Sequence, residues 1–134
     1  MPSFGRRSLG NLKNVHPDMV RLFTEVIKHR DCTVLEGHRS PKRQAQLFAE
    51  GKTQKRAGGK HNLFPSEAVD VMPWFNAKPH IRWNDTRATY SFGGFVLGMA
   101  QSIGIRIRWG ADWDADQEYD DHTLVDAPHY EILK

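Results

Sequence analysis

Disulfides, membrane spans and one-sided charge are all missing from this sequence. Its 134 residues hold one cysteine, Cys32, so neither an internal disulfide nor a cysteine-based zinc module is available. No apolar run approaches the roughly 18–20 residues of a spanning helix, and no membrane insertion is expected. Residues 1–10 are basic, but no apolar stretch follows them, so they do not read as a secretory signal. The 19 Lys and Arg against 16 Asp and Glu leave a net +3 with histidines neutral. That surplus is too small to point to nucleic acid as a partner. Internal repeats, low-complexity tracts and linkers are absent too. What remains is 39% hydrophobic and 26% charged, the composition of a globular protein. The length suits one domain, 1–134, with its own core. Within that ordinary frame the sequence carries seven histidines.

His16-Pro17-Asp18 predicts a helix start, because proline suits a first turn and an acid suits the positive helix end. Met19, Val20, Leu22, Phe23, Val26 and Ile27 follow at helical spacing and predict a core-facing stripe up to about Arg30. Residues 33–38 read as a short strand. Ser40-Pro41 supplies a cap and a first-turn proline, and Gly51 lies just past the helix they open. A polar loop over 52–66 leads to a strand over 68–72, closed by Pro73. A helix is predicted over 86–102, strands over 105–109 and 129–133, and an acidic loop over 110–121. Gly93, Gly94 and Gly98 each cost that helix roughly 1 kcal/mol and are expected to permit close packing on a sheet. The uneven order predicts an α+β fold with a small, mainly antiparallel sheet and flanking helices.

Three segments gather residues that ligate metals or move protons. Lys60-His61 lies in a loop, with Asp70 on the strand after it. Asp126-Ala127-Pro128-His129-Tyr130-Glu131 closes the chain, and Glu36-Gly37-His38-Arg39-Ser40 joins a strand to a helix. Two histidines and one carboxylate leave the fourth position of a tetrahedral Zn²⁺ open to water. Such an ion lowers the pKa of water from about 15.7 to about 7, which supplies hydroxide at neutral pH. A free carboxylate must then accept the proton and deliver it to a leaving amine. Asp126, ahead of His129 and separated from it by Ala127-Pro128, is placed for that task. Arg39 offers a fixed cation to hold substrate or stabilise an oxyanion.

Lys60-His61 with Ser66-Glu67-Ala68-Val69-Asp70 resembles the His…Ala-x-Asp motif of the D-alanyl-D-alanine carboxypeptidase (VanY-type) zinc peptidases. Asp126-Ala127-Pro128-His129 resembles their acid-x-Pro-His segment, and Gly37-His38-Arg39-Ser40 with Gln44 their Gly-x-Arg-Ser/Thr-x-x-x-Gln segment. Arg108-Trp109-Gly110-Ala111-Asp112-Trp113 resembles the Arg-Trp-Gly-Gly-Asp-Trp stretch of the small phage endolysins in that group. The resemblance implies a hedgehog/D-Ala-D-Ala peptidase-like fold and hydrolysis of the L-alanyl-D-glutamate bond of peptidoglycan. It implies His61, Asp70 and His129 as zinc ligands, Asp126 as catalytic base, and Arg39 as the residue that binds substrate or steadies the intermediate. His61 and Asp70 stand two residues further apart here than in the common pattern, so the loop between them must bulge. Asp126 stands where many members have Glu, and its shorter side chain demands a closer approach.

Other residues are weighed against plain structural roles. His16 and His29 fit helix ends, and His80 and His122 are assigned nothing. His38, beside Arg39, is a candidate for the cleft, as are Trp109 and Trp113, whereas Trp74 and Trp83 are expected to pack. Glu131 follows His129 by two and shares its strand face, where it can orient an imidazole or simply meet solvent. Asp112, Asp114 and Asp116 are spaced like the first ligands of a Ca²⁺ loop, but Gln117 and Thr123 depart from that pattern. Lys52, Lys55, Arg56 and Lys60 form a basic loop read as wall-facing or solvated. Rival readings are a D-alanyl-D-alanine carboxypeptidase and a non-catalytic zinc-binding module. The endolysin reading carries further expectations: a monomer without a separate wall-binding domain, bacterial peptidoglycan as partner, and synthesis in the host cytoplasm until release to the wall at lysis.

Overall fold

Among the described residues, three of the four α-helices begin behind a capping side chain. The computed structural model describes residues 2–51, 59–111 and 126–133. Helix α1 spans Arg6–Leu12, and α2 spans Pro17–Ile27, where His16 Nδ1 accepts from the Asp18 amide at 3.1 Å. After strand β1, Cys32–Glu36, helix α3 covers Pro41–Ala49, capped by the Ser40 hydroxyl, which accepts from the Arg43 amide. A single 3₁₀ turn, Lys60–Asn62, precedes strand β2, Ala68–Pro73. Helix α4 runs Thr86–Ser102 behind an Asp85 cap, followed by β3, Ile107–Trp109, and β4, His129–Ile132.

Among the described residues the four strands form one sheet in the order β1-β2-β4-β3, every neighbouring pair antiparallel. The α+β expectation with flanking helices holds. The α2 stripe supplies the core as its spacing predicts: Met19, Leu22, Phe23 and Val26 are fully buried, together with Val34, Val69, Val96 and Tyr130. Helix α4 packs on α2 and on the sheet.

The structure departs from the sequence reading in several places. Helix α1 has no counterpart there, because Leu12 is its one buried apolar side chain and polar groups supply much of its docking. Ser8 Oγ accepts from the Val34 amide at 3.0 Å, and Asn11 Nδ2 donates to the Val34 carbonyl at 2.8 Å, while Leu9 stays exposed. Of the three α4 glycines only Gly93 meets a neighbour: a Cβ there would lie 2.2 Å from the Trp109 ring, whereas Gly94 and Gly98 face open space. Trp83 is 60% exposed rather than packed. Trp74 stacks on His80 at 4.5 Å, a contact that gives that histidine a structural role.

Candidate metal centre

The sheet register assembles the site. Glu36 on β1 lies opposite Asp70 on β2, and Asp70 lies opposite His129 on β4, which makes a polar row across three strands. His61 enters from the 3₁₀ turn, held by two backbone bonds: its carbonyl accepts from the Arg39 amide at 2.7 Å, and Glu67 N donates to the Lys60 carbonyl at 3.0 Å. The extra residues between His61 and Asp70 are taken up by this turn and by a loop pinned at Ser66. That amide donates to the Asn14 carbonyl, and its hydroxyl donates to the Ala68 carbonyl.

Among the described residues, His61, Asp70 and His129 form one group whose donor atoms all lie within 4.8 Å of one another. Asp70 Oδ1 is 3.2 Å from His61 Nε2 and 3.3 Å from His129 Nδ1. The far ring nitrogens are committed elsewhere. His61 Nδ1 donates to the Gly37 carbonyl at 2.7 Å, and His129 Nε2 donates to Glu131 Oε1 at 2.8 Å. In the neutral imidazoles these outer bonds leave Nε2 of His61 and Nδ1 of His129 with their lone pairs free, both beside the same Asp70 oxygen. That is the donor set and ring orientation a zinc ion takes. The residues present therefore fit the metal.

Electrostatics follow from this crowding. Burial works to raise the Asp70 pKa, but hydrogen bonds from His129 and His61 and their charges outweigh it and hold the carboxyl well below its usual range. For His129, burial pulls the other way, yet its bonds to Asp70 and Glu131 carry it up to about 9. Glu131 also accepts from Arg108 Nη2 at 2.8 Å and lies 3.3 Å from Lys60 Nζ, which donates to the Ile132 carbonyl as well. Burial opposes the charge of Glu131, but the His129 and Arg108 bonds bring its pKa down to about 2. Lys60 is thus tied into the site and does not belong to a solvated basic surface.

Arg39 is buried, with its guanidinium almost filled. Nε and Nη2 grip Glu36 at 3.0 and 2.8 Å, Nη1 donates to Gln44 Oε1 at 2.7 Å, and Nη2 stands 3.6 Å from Asp70 Oδ2. Asp126 retains solvent-exposed area and is set by a tight turn: its carbonyl accepts from the His129 amide at 3.0 Å, with Ala127-Pro128 between them. Its amide donates to the Gly110 carbonyl at 2.8 Å, and a Cβ at Gly110 would sit 2.0 Å from the Asp126 carbonyl oxygen, so only glycine allows this approach. The protein behind Asp126 raises its pKa, as does the Asp70 charge, with His129, His61 and Arg39 acting in the opposite direction. The charges that act on Asp126 thus include all three metal-ligand candidates, His61, Asp70 and His129.

The structure separates the remaining candidates. Trp109 is 1% exposed, its indole N–H donates to the Ala127 carbonyl at 2.7 Å, and its ring stacks on Tyr130. It is a core residue that supports the Asp126 turn from behind. His38 is half-buried with its ring against Phe64. Trp113 and the calcium candidates Asp112, Asp114 and Asp116 lie outside the described residues, as do Lys52, Lys55 and Arg56. Glu36 and Arg108 stand in the segments singled out from the sequence, but the sequence reading gave neither a role. Glu36 could have been found three residues ahead of Arg39, the spacing of the ion pair it forms.

Residues 2–133 match the family model described as "Phage L-alanyl-D-glutamate peptidase". A similar curated protein is the L-alanyl-D-glutamate peptidase of Escherichia phage T5, 28% identical over 135 residues, with 97% of each chain covered. Among solved structures, the Serratia marcescens L-Ala D-Glu endopeptidase ChiX superposes with a TM-score of 0.77 at 29% identity, covering 97% of this chain and 89% of that one. With a family match running through nearly every residue and the metal donors gathered at one point, this chain belongs to the phage L-alanyl-D-glutamate peptidase family.

Proposed function

We propose that this chain is a zinc-dependent endopeptidase that hydrolyses the L-alanyl-D-glutamate bond of the peptidoglycan stem peptide, as a phage endolysin. The observation that carries the reading is the His61, Asp70 and His129 donor set, with both outer ring nitrogens already committed, in a chain of this family. These residues would hold zinc through Nε2, Oδ1 and Nδ1. When bound, the ion supplies a Lewis acid for the scissile carbonyl and makes hydroxide available at neutral pH.

Asp126 accepts the proton of the attacking water and returns it to the leaving amine; a carboxyl with a raised pKa is suited to both transfers. Arg39 provides positive charge for the developing oxyanion. Glu36 and Gln44 hold its guanidinium in advance, so little reorganisation is needed as charge builds. The whole chain serves as one catalytic unit. It is made in the host cytoplasm and reaches the wall at lysis, and its net positive charge favours an anionic envelope.

Mass spectrometry of fragments from purified Gram-negative peptidoglycan tests the reading. New L-alanine C-termini and D-glutamate N-termini are expected, lost on chelation and restored by Zn²⁺. Release of free D-alanine would reassign the enzyme as a carboxypeptidase, and intact muropeptides under every metal condition would reduce the site to a metal-binding module.

A further inference from the structure

A groove beside the metal centre carries charge that the mechanism does not use. It encloses about 370 Å³ between the turn after α1 and the start of α3, and its lining includes Lys13, Asn14, Glu36, Gly37, His38 and Arg43. Its one acid is already neutralised, since Arg39 grips both Glu36 oxygens at 3.0 and 2.8 Å. The cations are left over. Among the described residues Lys13 has no acidic partner, and Arg43, half-exposed, stands 3.6 Å from Glu36 with its Nε. His38 lines the same wall, with its ring edge-on to Phe64. The groove is therefore positive, open to solvent and built from two exposed cations on separate elements.

Its position gives that charge a use. Glu36, which lines the groove, is paired in register with the metal-ligand candidate Asp70, one strand spacing or about 4.8 Å away. An extended peptide advances about 3.3 Å per residue, so a substrate with its scissile bond at the metal centre reaches the groove within one or two residues. A D-glutamyl residue beside that bond brings a carboxylate to this distance.

We propose that this groove is an anion subsite, in which Lys13 and Arg43, with His38 between α1 and α3, receive a carboxylate of the stem peptide one or two residues from the scissile bond. The inference rests on the peptidase reading above and adds a specificity: the enzyme distinguishes free from amidated stem carboxylates. The interaction is equal in ground and transition states, so it acts on KM rather than kcat.

The test uses two synthetic stem peptides that differ only in whether the carboxylates after the L-alanyl-D-glutamate bond are free or amidated. Wild type is expected to show a KM about tenfold lower for the free form, the size of one charge-assisted contact. The Lys13→Met/Arg43→Gln double variant brings the KM ratio near one, and Lys13→Glu/Arg43→Glu reverses it. Both side chains are exposed, so thermal melting serves as the check on folding. A wild type with no preference, or a preference that survives in the folded double variant, would overturn the subsite. A zinc-loaded wild type that cleaves neither peptide would instead overturn the peptidase reading, and the subsite with it.

Discussion

Asp70 Oδ1 stands 3.2 Å from one imidazole nitrogen and 3.3 Å from another, and the acceptors behind those rings decide where the nitrogens point. Glu131 is the charged one. It accepts from His129 at 2.8 Å, and the His129 and Arg108 bonds keep it ionised beside two cations, Arg108 and Lys60. Glu131→Gln retains a similar shape but leaves these two cations facing a neutral amide. Zinc affinity is expected to fall about 10–100-fold, as measured by competition with a chromogenic chelator. Asp126 is a different case because it holds no metal in this reading. Asp126→Ala is expected to keep one equivalent of zinc and lose about 10²–10⁴ in kcat. Full activity in that variant would remove Asp126 as the base.

Among the elements, α4 shows how two glycines of one helix can have opposite meanings. Gly93 lies against the Trp109 ring, and a Cβ there would come within 2.2 Å of a rigid, buried indole. Gly93→Ala is expected to destabilise by about 1–3 kcal/mol through overpacking. Gly94 and Gly98 face open space, so alanine there is expected to stabilise by about 0.5–1 kcal/mol each through helix propensity. Thermal denaturation of the three variants checks both signs at once. The Trp109 contact also reaches the site, because the same indole donates to the Ala127 carbonyl within the Asp126 turn.

For the molecule as a whole, the ionised row across the sheet links stability to pH and to metal. Without metal, His129 titrates near 9 rather than at its ordinary 6.5. The stability this contributes is complete below about 6.5 and is lost as pH rises through about 9. Glu131, brought down to about 2, contributes in the opposite sense: its share is present above its ordinary 4.5 and is lost as pH falls toward 2. Chelated protein is therefore expected to melt at lower temperature as pH is raised from 6.5 to 9. Zinc takes the His129 nitrogen that would otherwise carry a proton, so its affinity rises over the same interval and its uptake releases a proton. Melting curves across this pH range, with and without chelator, check the prediction. A chelated protein whose Tm is flat from 6.5 to 9 would contradict it.

Much of this was legible in the residues themselves. The α2 stripe, the Ser40-Pro41 start and the β2 strand rest on local periodicity and capping, which neighbouring residues decide without help from distant ones. The metal-ligand candidates were readable as well, because each combines a chemically distinctive side chain with short spacing to another. The sequence by itself thus determined the residue types available for catalysis and the elements that carry them. Tertiary structure decided what those residues face. Only the β1-β2-β4 register sets Glu36, Asp70 and His129 in one row, and only the fold buries Trp109, exposes Trp83 and docks α1 through Ser8 and Asn11. Burial and partner choice are sums over contacts between residues far apart in the chain, and a local pattern carries no record of them.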